Sequence, residues 1–398
     1  MTNHMELDFL GEAYASKGGY LGLFSLSVHL TEQVNPQILQ QAFGDLMRRL
    51  PFLSVRLCPG YLHEVLEEPP PVVPESGSHY LFTEYFNRGS RHMLRVLYGE
   101  YYFKVETTHT ITDGRGLSKI VSALLLRYYE LTGIKVDENE RGGIIDCAGM
   151  LQPAETEDAY KRFASAEQRK HNRKEPRIKN VYMHEQMRRA DTRVISRTFD
   201  LEKIKVAAKS HDATIGEYIL AHIFAAIAME RDETNCKGSI VITVPVDYRR
   251  FFVSKTFRNF VGSKNIVIHE AEGFPEMLSR VKSQFASLDK NSVQIDITGI
   301  QEAKDSLRKL PPALRGFLYR TVGRRMMKKT TSMFSNLGVV KLPRQIEEHI
   351  KSMELVLSPT EGILYTFACI TLGNVLTLSI TSDAAGDGIV NEVFRTLE

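Results

Sequence analysis

The chain has 398 residues, with 51 lysines and arginines against 48 aspartates and glutamates, so its formal net charge is only +3. That length exceeds the roughly 250–300 residues that one hydrophobic core supports, which predicts two lobes or domains. An apolar fraction of 43% and a charged fraction of 25% exclude global disorder, and the near-neutral charge gives no global case for a nucleic-acid binder.

Met1 to Leu10 is polar and carries Glu6 and Asp8, so it does not read as a signal peptide. Tyr20–Leu30 alternates apolar and polar residues as a strand does. Asn35-Pro36 supplies an N-cap and a first-turn proline for a helix to about Arg49, with Ile38, Leu39, Phe43, Leu46 and Met47 on one face. Pro51 ends it, and Phe52–Leu57 alternates again as a strand. Met93–Tyr98 and Tyr101–Thr107 flank Gly99-Glu100, a two-residue hairpin signal. Beyond Asp113-Gly114-Arg115-Gly116 a helix is predicted from Leu117 to about Leu131, with Ile120, Val121, Leu124, Leu125 and Tyr128 as its apolar stripe.

From about Thr132 to Ala190 the chain is polar with little periodicity. Val194–Phe199 then reads as a strand and Glu202–Ala208 as a helix. Thr214 caps a longer helix to about Glu230. Its run Tyr218–Met229, interrupted by His222, is shorter than the roughly 18–20 apolar residues that span a bilayer, so it predicts a buried core helix. Strands follow at Ser239–Val246 and Asn265–His269, a helix at Pro275–Leu288, and late strands at Leu355–Leu357, Gly362–Thr371 and Val375–Thr381, the last two joined by Gly373-Asn374. The order strand, helix, strands, helix thus occurs on each side of a basic linker at 171–190. This predicts lobes over 1–170 and 191–398, each α/β with mixed sheets. Cys58, Cys147, Cys236 and Cys369 lie far apart with no CxxC pair. They suggest neither a zinc ribbon nor a disulfide scaffold, and point to a reducing, cytoplasmic setting.

The chemistry-bearing stretch is Thr107-Thr108-His109-Thr110-Ile111-Thr112-Asp113-Gly114-Arg115-Gly116. An imidazole follows an apolar strand and precedes two glycines and a helix, and strand-to-helix loops are where a scaffold exposes side chains. Gly114 and Gly116 permit a sharp turn or the close approach of a ligand. His109 suits general-base work near neutral pH. The alternatives are a hydrogen-bonded scaffold histidine, or a metal pair with Asp113 that has no third ligand nearby. Spacing alone does not decide contact between the two: four residues along a strand are about 13 Å apart, whereas four along a helical turn are neighbours.

The segment resembles the HHxxxDG motif of the chloramphenicol-acetyltransferase-like superfamily. That group holds peptide-synthetase condensation domains, plant alcohol acyltransferases, polyketide-associated acyltransferases and alcohol O-acetyltransferases. His109 matches the second histidine and Asp113-Gly114 the final pair, while Thr108 stands where the first histidine normally sits. Three more segments fit in chain order. Ala42–Leu57, with "LPFLSVRL", resembles the helix, proline and strand entry of these enzymes; Val244-Pro245-Val246-Asp247-Tyr248-Arg249 resembles "PVDxR"; and Ser335-Asn336-Leu337-Gly338 resembles the "SNLG" of the alcohol-acetyltransferase and polyketide-associated branches. The plant "DFGWG" signature is absent.

The resemblance implies two lobes forming a V-shaped pseudo-dimer with a central tunnel and His109 near its middle. It implies acyl transfer from a thioester to an alcohol or amine acceptor, with His109 as general base and neither a metal nor a permanently bound cofactor. Acyl-CoA, or an acyl- or peptidyl-carrier protein, would be the co-substrate. Asp113 would turn away and pair with Arg249, or alternatively Arg250. Ser335 and Asn336, on a polar loop ending in Gly338, would line the tunnel, donate to an oxyanion, or only make a turn. A free-standing condensation-type enzyme and a catalytically inactive acyl-CoA-binding homologue are the alternative readings.

Charge is segregated. Lys161–Arg193 holds eleven Lys/Arg against four acids, and Lys304–Lys329 nine against Asp305 alone, which leaves the remainder net −12. The second window places Leu314, Phe317, Leu318, Val322, Met326 and Met327 at helical spacing. It reads as an amphipathic surface helix, as a face attracting coenzyme A phosphates or an acidic carrier, or as a membrane-surface or nucleic-acid contact. No P-loop, dinucleotide fingerprint or GxSxG elbow is present, which disfavours nucleotide hydrolysis and serine-hydrolase chemistry.

Overall fold

The computed structural model describes residues 4–16, 22–58, 61–64, 70–75, 93–167, 178, 180–184, 188–270, 273–359 and 362–398. Strand β1 (His4–Met5) and helix α1 (Phe9–Ser16) precede β2 (Leu23–Leu30). Helix α2 (Pro36–Arg49) starts where its cap directs: Asn35 Oδ1 accepts the N–H groups of Gln37 and Ile38 at 3.1 Å. The strand expected over Phe52–Leu57 is shorter. Pro51–Leu53 forms a 3₁₀ turn closed by the Ser54 N–H on the Pro51 carbonyl, burying Phe52 and Leu53, before β3 (Val55–Cys58). Strands β4 (Tyr61–Glu64), β5 (Val73–Pro74), β6 (Leu94–Tyr98) and β7 (Tyr102–Thr108) follow. The β6–β7 turn is Glu100-Tyr101 rather than Gly99-Glu100, because Tyr98 pairs with Phe103 and Gly99 N–H bonds the Tyr102 carbonyl. Helix α3 (Gly114–Leu131) buries the whole expected stripe.

Among its described residues the polar stretch holds a 3₁₀ turn (Glu138–Glu140) and the short helices α4 (Pro153–Thr156) and α5 (Ala159–Phe163). The expected linker 171–190 falls mostly outside the described residues, and 188–190 already belong to β8 (Arg188–Asp200). Then come α6 (Leu201–Ser210), α7 (Ile215–Glu233), β9 (Ile240–Asp247), β10 (Val261–Ile268), α8 (Phe274–Ala286), α9 (Lys290–Arg308), α10 (Pro312–Met327), β11 (Ser332–Val340), α11 (Arg344–Glu347), β12 (Ile350–Leu357), β13 (Tyr365–Leu372), β14 (Val375–Ala384) and α12 (Gly388–Leu397). The cap of α7 is a reciprocal Thr214–Glu217 box. Helix α9 gave no apolar signal because its buried positions include Gln301 and Lys304 beside Val293 and Ile297.

Two mixed sheets organise the molecule. The first runs β12-β2-β7-β6-β5 and the second β10-β9-β11-β13-β14-β8; β1, β4 and β3 form a small third sheet. Helices α2 and α3 cover one face of the first sheet, packing Phe43, Leu46, Ile120 and Leu124 on Leu26, Val28 and Phe103. Helices α7 and α12 cover one face of the second, packing Ile223, Ile227 and Phe394 on Phe367, Leu378 and Ile380. The division into 1–170 and 191–398 does not separate the two sheets. Strand β12 leaves the C-terminal half and pairs antiparallel with β2, Leu355 opposite Leu26, because Met353 and Leu355 complete the first core. Among the described residues no single helix is long and apolar enough to cross a membrane; α6 and α7 pass only as a pair bent by 81°.

The polar face of the first sheet, opposite α2 and α3, carries a buried ionic cluster. Lys104 contacts Glu75 and lies 3.3 Å from Glu106, which Arg95 meets at 2.5 Å. Burial pushes the Glu106 carboxyl up to about 7, against the opposing pull of Lys104 and Arg95. A raised folded-state pKa means that its stabilising contribution is complete below the unfolded value of about 4.3 and is lost as pH rises through 7. Glu106→Gln is therefore expected to flatten the fall in stability between about pH 5 and 8 in urea unfolding; an unchanged slope counts against this assignment.

Candidate active site

Strand β7 ends at Thr108 opposite Leu23, and the chain turns at once. The Thr108 side chain is buried; its Oγ1 accepts the Thr110 N–H at 3.1 Å and lies 3.0 Å from Thr110 Oγ1. The residue standing at the first histidine position therefore shapes the turn. His109 follows, half-buried, its N–H donating to the Gly22 carbonyl at 3.0 Å. Its ring stacks on Tyr14 at 5.0 Å between centroids and lies 4.4 Å from Phe24.

Asp113 is fully committed elsewhere. Oδ1 accepts the Gly116 N–H at 2.8 Å, which caps α3, and Oδ2 accepts the Phe260 N–H at 2.7 Å. Arg249 Nη1 stands 2.9 Å from the same Oδ2, with both side chains buried. Burial alone would raise the Asp113 pKa, but Arg249 and the two N–H groups outweigh it and hold the carboxyl below its ordinary value. Arg249, rather than exposed Arg250, is the partner. Its other donors go to Asp247 and to the Thr256 and Arg258 carbonyls. Asp113 thus ties the His109 loop to the C-terminal half.

Gly116 has no room for a side chain. A Cβ there would stand 2.1 Å from Thr112 Oγ1 and 2.2 Å from the Phe257 carbonyl, itself the acceptor of the Thr112 hydroxyl. Gly116→Ala is expected to cost about 1–3 kcal/mol, because backbone on both halves must shift; a thermal midpoint equal to the parent's would contradict this. Gly114 is less constrained, its nearest contact being the Leu337 side chain at 3.4 Å.

No family model and no curated protein matches the sequence. Solved structures do match over its full length. Polyketide synthase associated protein 5 from Mycobacterium tuberculosis superposes with a TM-score of 0.65 at 13% identity, covering 100% of this chain and 98% of that one. The first condensation domain of the CDA synthetase gives 0.62 at 11%, covering 100% and 94%. Trichothecene 15-O-acetyltransferase from Fusarium sporotrichioides gives 0.61 at 11%, again covering 100% and 94%. The chain shares the two-lobed fold of these three structures.

Within this fold, the "SNLG" segment is not the loop expected. Ser335 and Asn336 lie in β11, paired with Ala368 and Cys369 of β13, and the register shifts only between Asn336 and Val339. Parallel pairing with β13 holds Ser335 and Asn336 in the strand, and Leu337-Gly338 forms the irregularity before pairing resumes at Val339. Asn336 Oδ1 accepts the Gly338 N–H at 2.9 Å, and Arg115 Nη2 donates to the Leu337 carbonyl at 3.0 Å, which joins this strand to the start of α3.

The basic window at 304–329 is partly spent inside the molecule. Lys304 is buried on Asp158 at 2.5 Å, and Arg308 meets Glu12 at 3.3 Å. Tyr319 is the buried anchor of α10, whereas Leu314, Phe317, Val322 and Met326, placed on an apolar stripe by their spacing, are each about half exposed. Three residues near His109 carried no sequence signal: Tyr14, Asn259 and Asp8. Each reaches the site only through tertiary packing.

Proposed function

We propose that this chain is an acyltransferase that moves an acyl group from a thioester to an alcohol or amine, with His109 as general base. The observation that carries this reading is the His109 loop. The imidazole is held on Tyr14 and Phe24 at the junction of the two halves, while Asp113, the only carboxylate of the motif, is turned into the Arg249 ion pair. The names of the structural neighbours, an O-acetyltransferase and condensation domains, support the reaction class.

The acceptor's O–H or N–H proton passes to the imidazole as its oxygen or nitrogen attacks the thioester carbonyl. The tetrahedral oxyanion then collapses, the C–S bond breaks, and the departing thiolate takes that proton, so the base is regenerated. Acyl-CoA is the proposed donor. A carrier-bound donor is the second reading, favoured by the likeness to condensation domains.

The test is incubation with a panel of acyl-CoAs, and separately with acyl-carrier protein, against alcohols and amines, with mass spectrometry of the products. Transfer from acyl-CoA supports the first reading and transfer from the carrier alone the second. Tight acyl-CoA binding with no turnover of any acceptor overturns both in favour of a binding protein.

A further inference from the structure

Asn259 belongs to none of the motifs, yet it is only 1% exposed and touches His109 twice. Its amide nitrogen lies 2.8 Å from the His109 carbonyl oxygen and 3.1 and 3.2 Å from the two Asp8 carboxylate oxygens. All three neighbours accept hydrogen bonds, and an amide oxygen has no proton to donate. They therefore settle which end of the amide is the nitrogen. The other end, Oδ1, faces His109 Nδ1 at 3.4 Å, a length that catalytic hydrogen bonds often show before substrate binds. A carbonyl oxygen only accepts, so the ring nitrogen facing it carries the hydrogen. A neutral imidazole has one N–H, which leaves the lone pair on Nε2.

We propose that Asn259 and Asp8 are positioning residues that hold the neutral His109 ring in its Nδ1–H tautomer, presenting Nε2 as the base. This rests on the general-base reading of His109. Asp113 is unable to do this work, its oxygens being committed to Arg249, Gly116 and Phe260. The acceptor's proton arrives at Nε2 and leaves from it to the departing sulfur, while the other proton stays on Nδ1, hydrogen-bonded to Asn259 Oδ1 throughout. A neutral amide accepts a hydrogen bond from Nδ1–H in both imidazole and imidazolium, without placing a full negative charge beside the ring.

Asp8 connects this arrangement to the N-terminal helix. Asp8 precedes α1, its Oδ1 accepts the Gly11 N–H of that helix's first turn at 2.8 Å, and Arg258 lies 3.6 Å away. Helix α1 abuts the loop so closely that a Cβ on Gly11 would stand 2.6 Å from the Thr110 carbonyl. It also supplies Tyr14 to the His109 ring, and Glu12 holds it on Arg308 and on the Tyr319 hydroxyl at 3.2 Å. Part of the basic window thus serves to seat the helix that orders the histidine.

The experiment is long-range proton–nitrogen NMR of the full chain labelled at histidine, with rate measurements against pH. The unaltered protein is expected to show His109 as the Nδ1–H tautomer; an Nε2–H tautomer there overturns the proposal without any variant. Asn259→Leu is expected to mix the tautomers and to lower kcat roughly 10- to 100-fold with little change in KM, since only the reactive nitrogen is misplaced. Asp8→Asn, which keeps the shape but frees the amide to flip, is expected to do the same more weakly and serves should Asn259→Leu not fold. Asn259→Asp is expected to raise the His109 pKa and shift the acidic limb of kcat/KM to higher pH. Unchanged tautomer and kcat in Asn259→Leu sinks the positioning role while leaving the general-base reading standing. A fully active His109→Ala sinks that reading instead, and the tautomer spectrum still reports on Asn259.

Discussion

His109→Ala is expected to lower kcat/KM for acyl transfer by at least about 10²–10⁴-fold, the usual worth of a positioned general base, and to leave the fold intact. Among the described residues of the motif, neither Thr108 nor Asp113 is placed to take over the proton. Thr108 is buried in its turn with Thr110, and both Asp113 oxygens are occupied by Arg249 and backbone N–H groups. The structural loss is small. The half-buried ring stacks on Tyr14 and Phe24, contacts worth about 1 kcal/mol each beyond area burial. Rates on the transferred acyl group, set beside thermal unfolding of both proteins, check the two halves of this expectation. Full activity in the variant removes His109 as the base, and loss of folding would show that the ring is instead structural.

The largest effect on stability is expected from Arg249→Leu. Asp113 and Arg249 are buried and 2.9 Å apart, and removing the cation leaves a carboxylate uncompensated in the interior. Such losses cost about 3–5 kcal/mol, which for a lobe of this size lowers the thermal midpoint by roughly 6–20 °C. Two further consequences separate this pair from a surface one. Replacing both partners with apolar residues should recover part of the loss, since no charge is then stranded. The contribution should also depend on acid in a definite direction. The folded-state pKa of Asp113 is depressed, so the pair's stabilisation is complete above the unfolded value of about 3.9 and is lost as pH falls through the lower folded value. Guanidinium unfolding of the parent and of Arg249→Leu at about pH 7 and pH 3 measures this; a gap between them that does not narrow in acid would refute it.

Local chemistry makes much of the chain legible in its sequence. Asn35-Pro36 and the Thr214–Glu217 box mark two helix starts because capping acts within one turn. The stripe of α3 is read from spacing because one face of that helix meets an apolar sheet. Elements whose partners are distant behave otherwise. Helix α9 buries Gln301 and Lys304, whose nitrogens donate to Asp305 and Asp158, so no hydrophobic period announces it. The "SNLG" residues have the composition of a loop and form a strand because β13 offers them a parallel ladder.

For the site, the sequence by itself determined its covalent core: His109 after a strand, Asp113 and Gly116 at the start of a helix, and an arginine at the end of "PVDYR". These are short-range arrangements that a motif can carry. Only the tertiary structure decided that Arg249 rather than Arg250 meets Asp113, that β12 crosses to the first sheet, and that Asn259, held by Asp8, faces the imidazole. The physical reason is the same in each case. A buried charge, an unpaired strand edge and an amide nitrogen must each find a partner, and that partner is set by which surfaces pack together, not by distance along the chain.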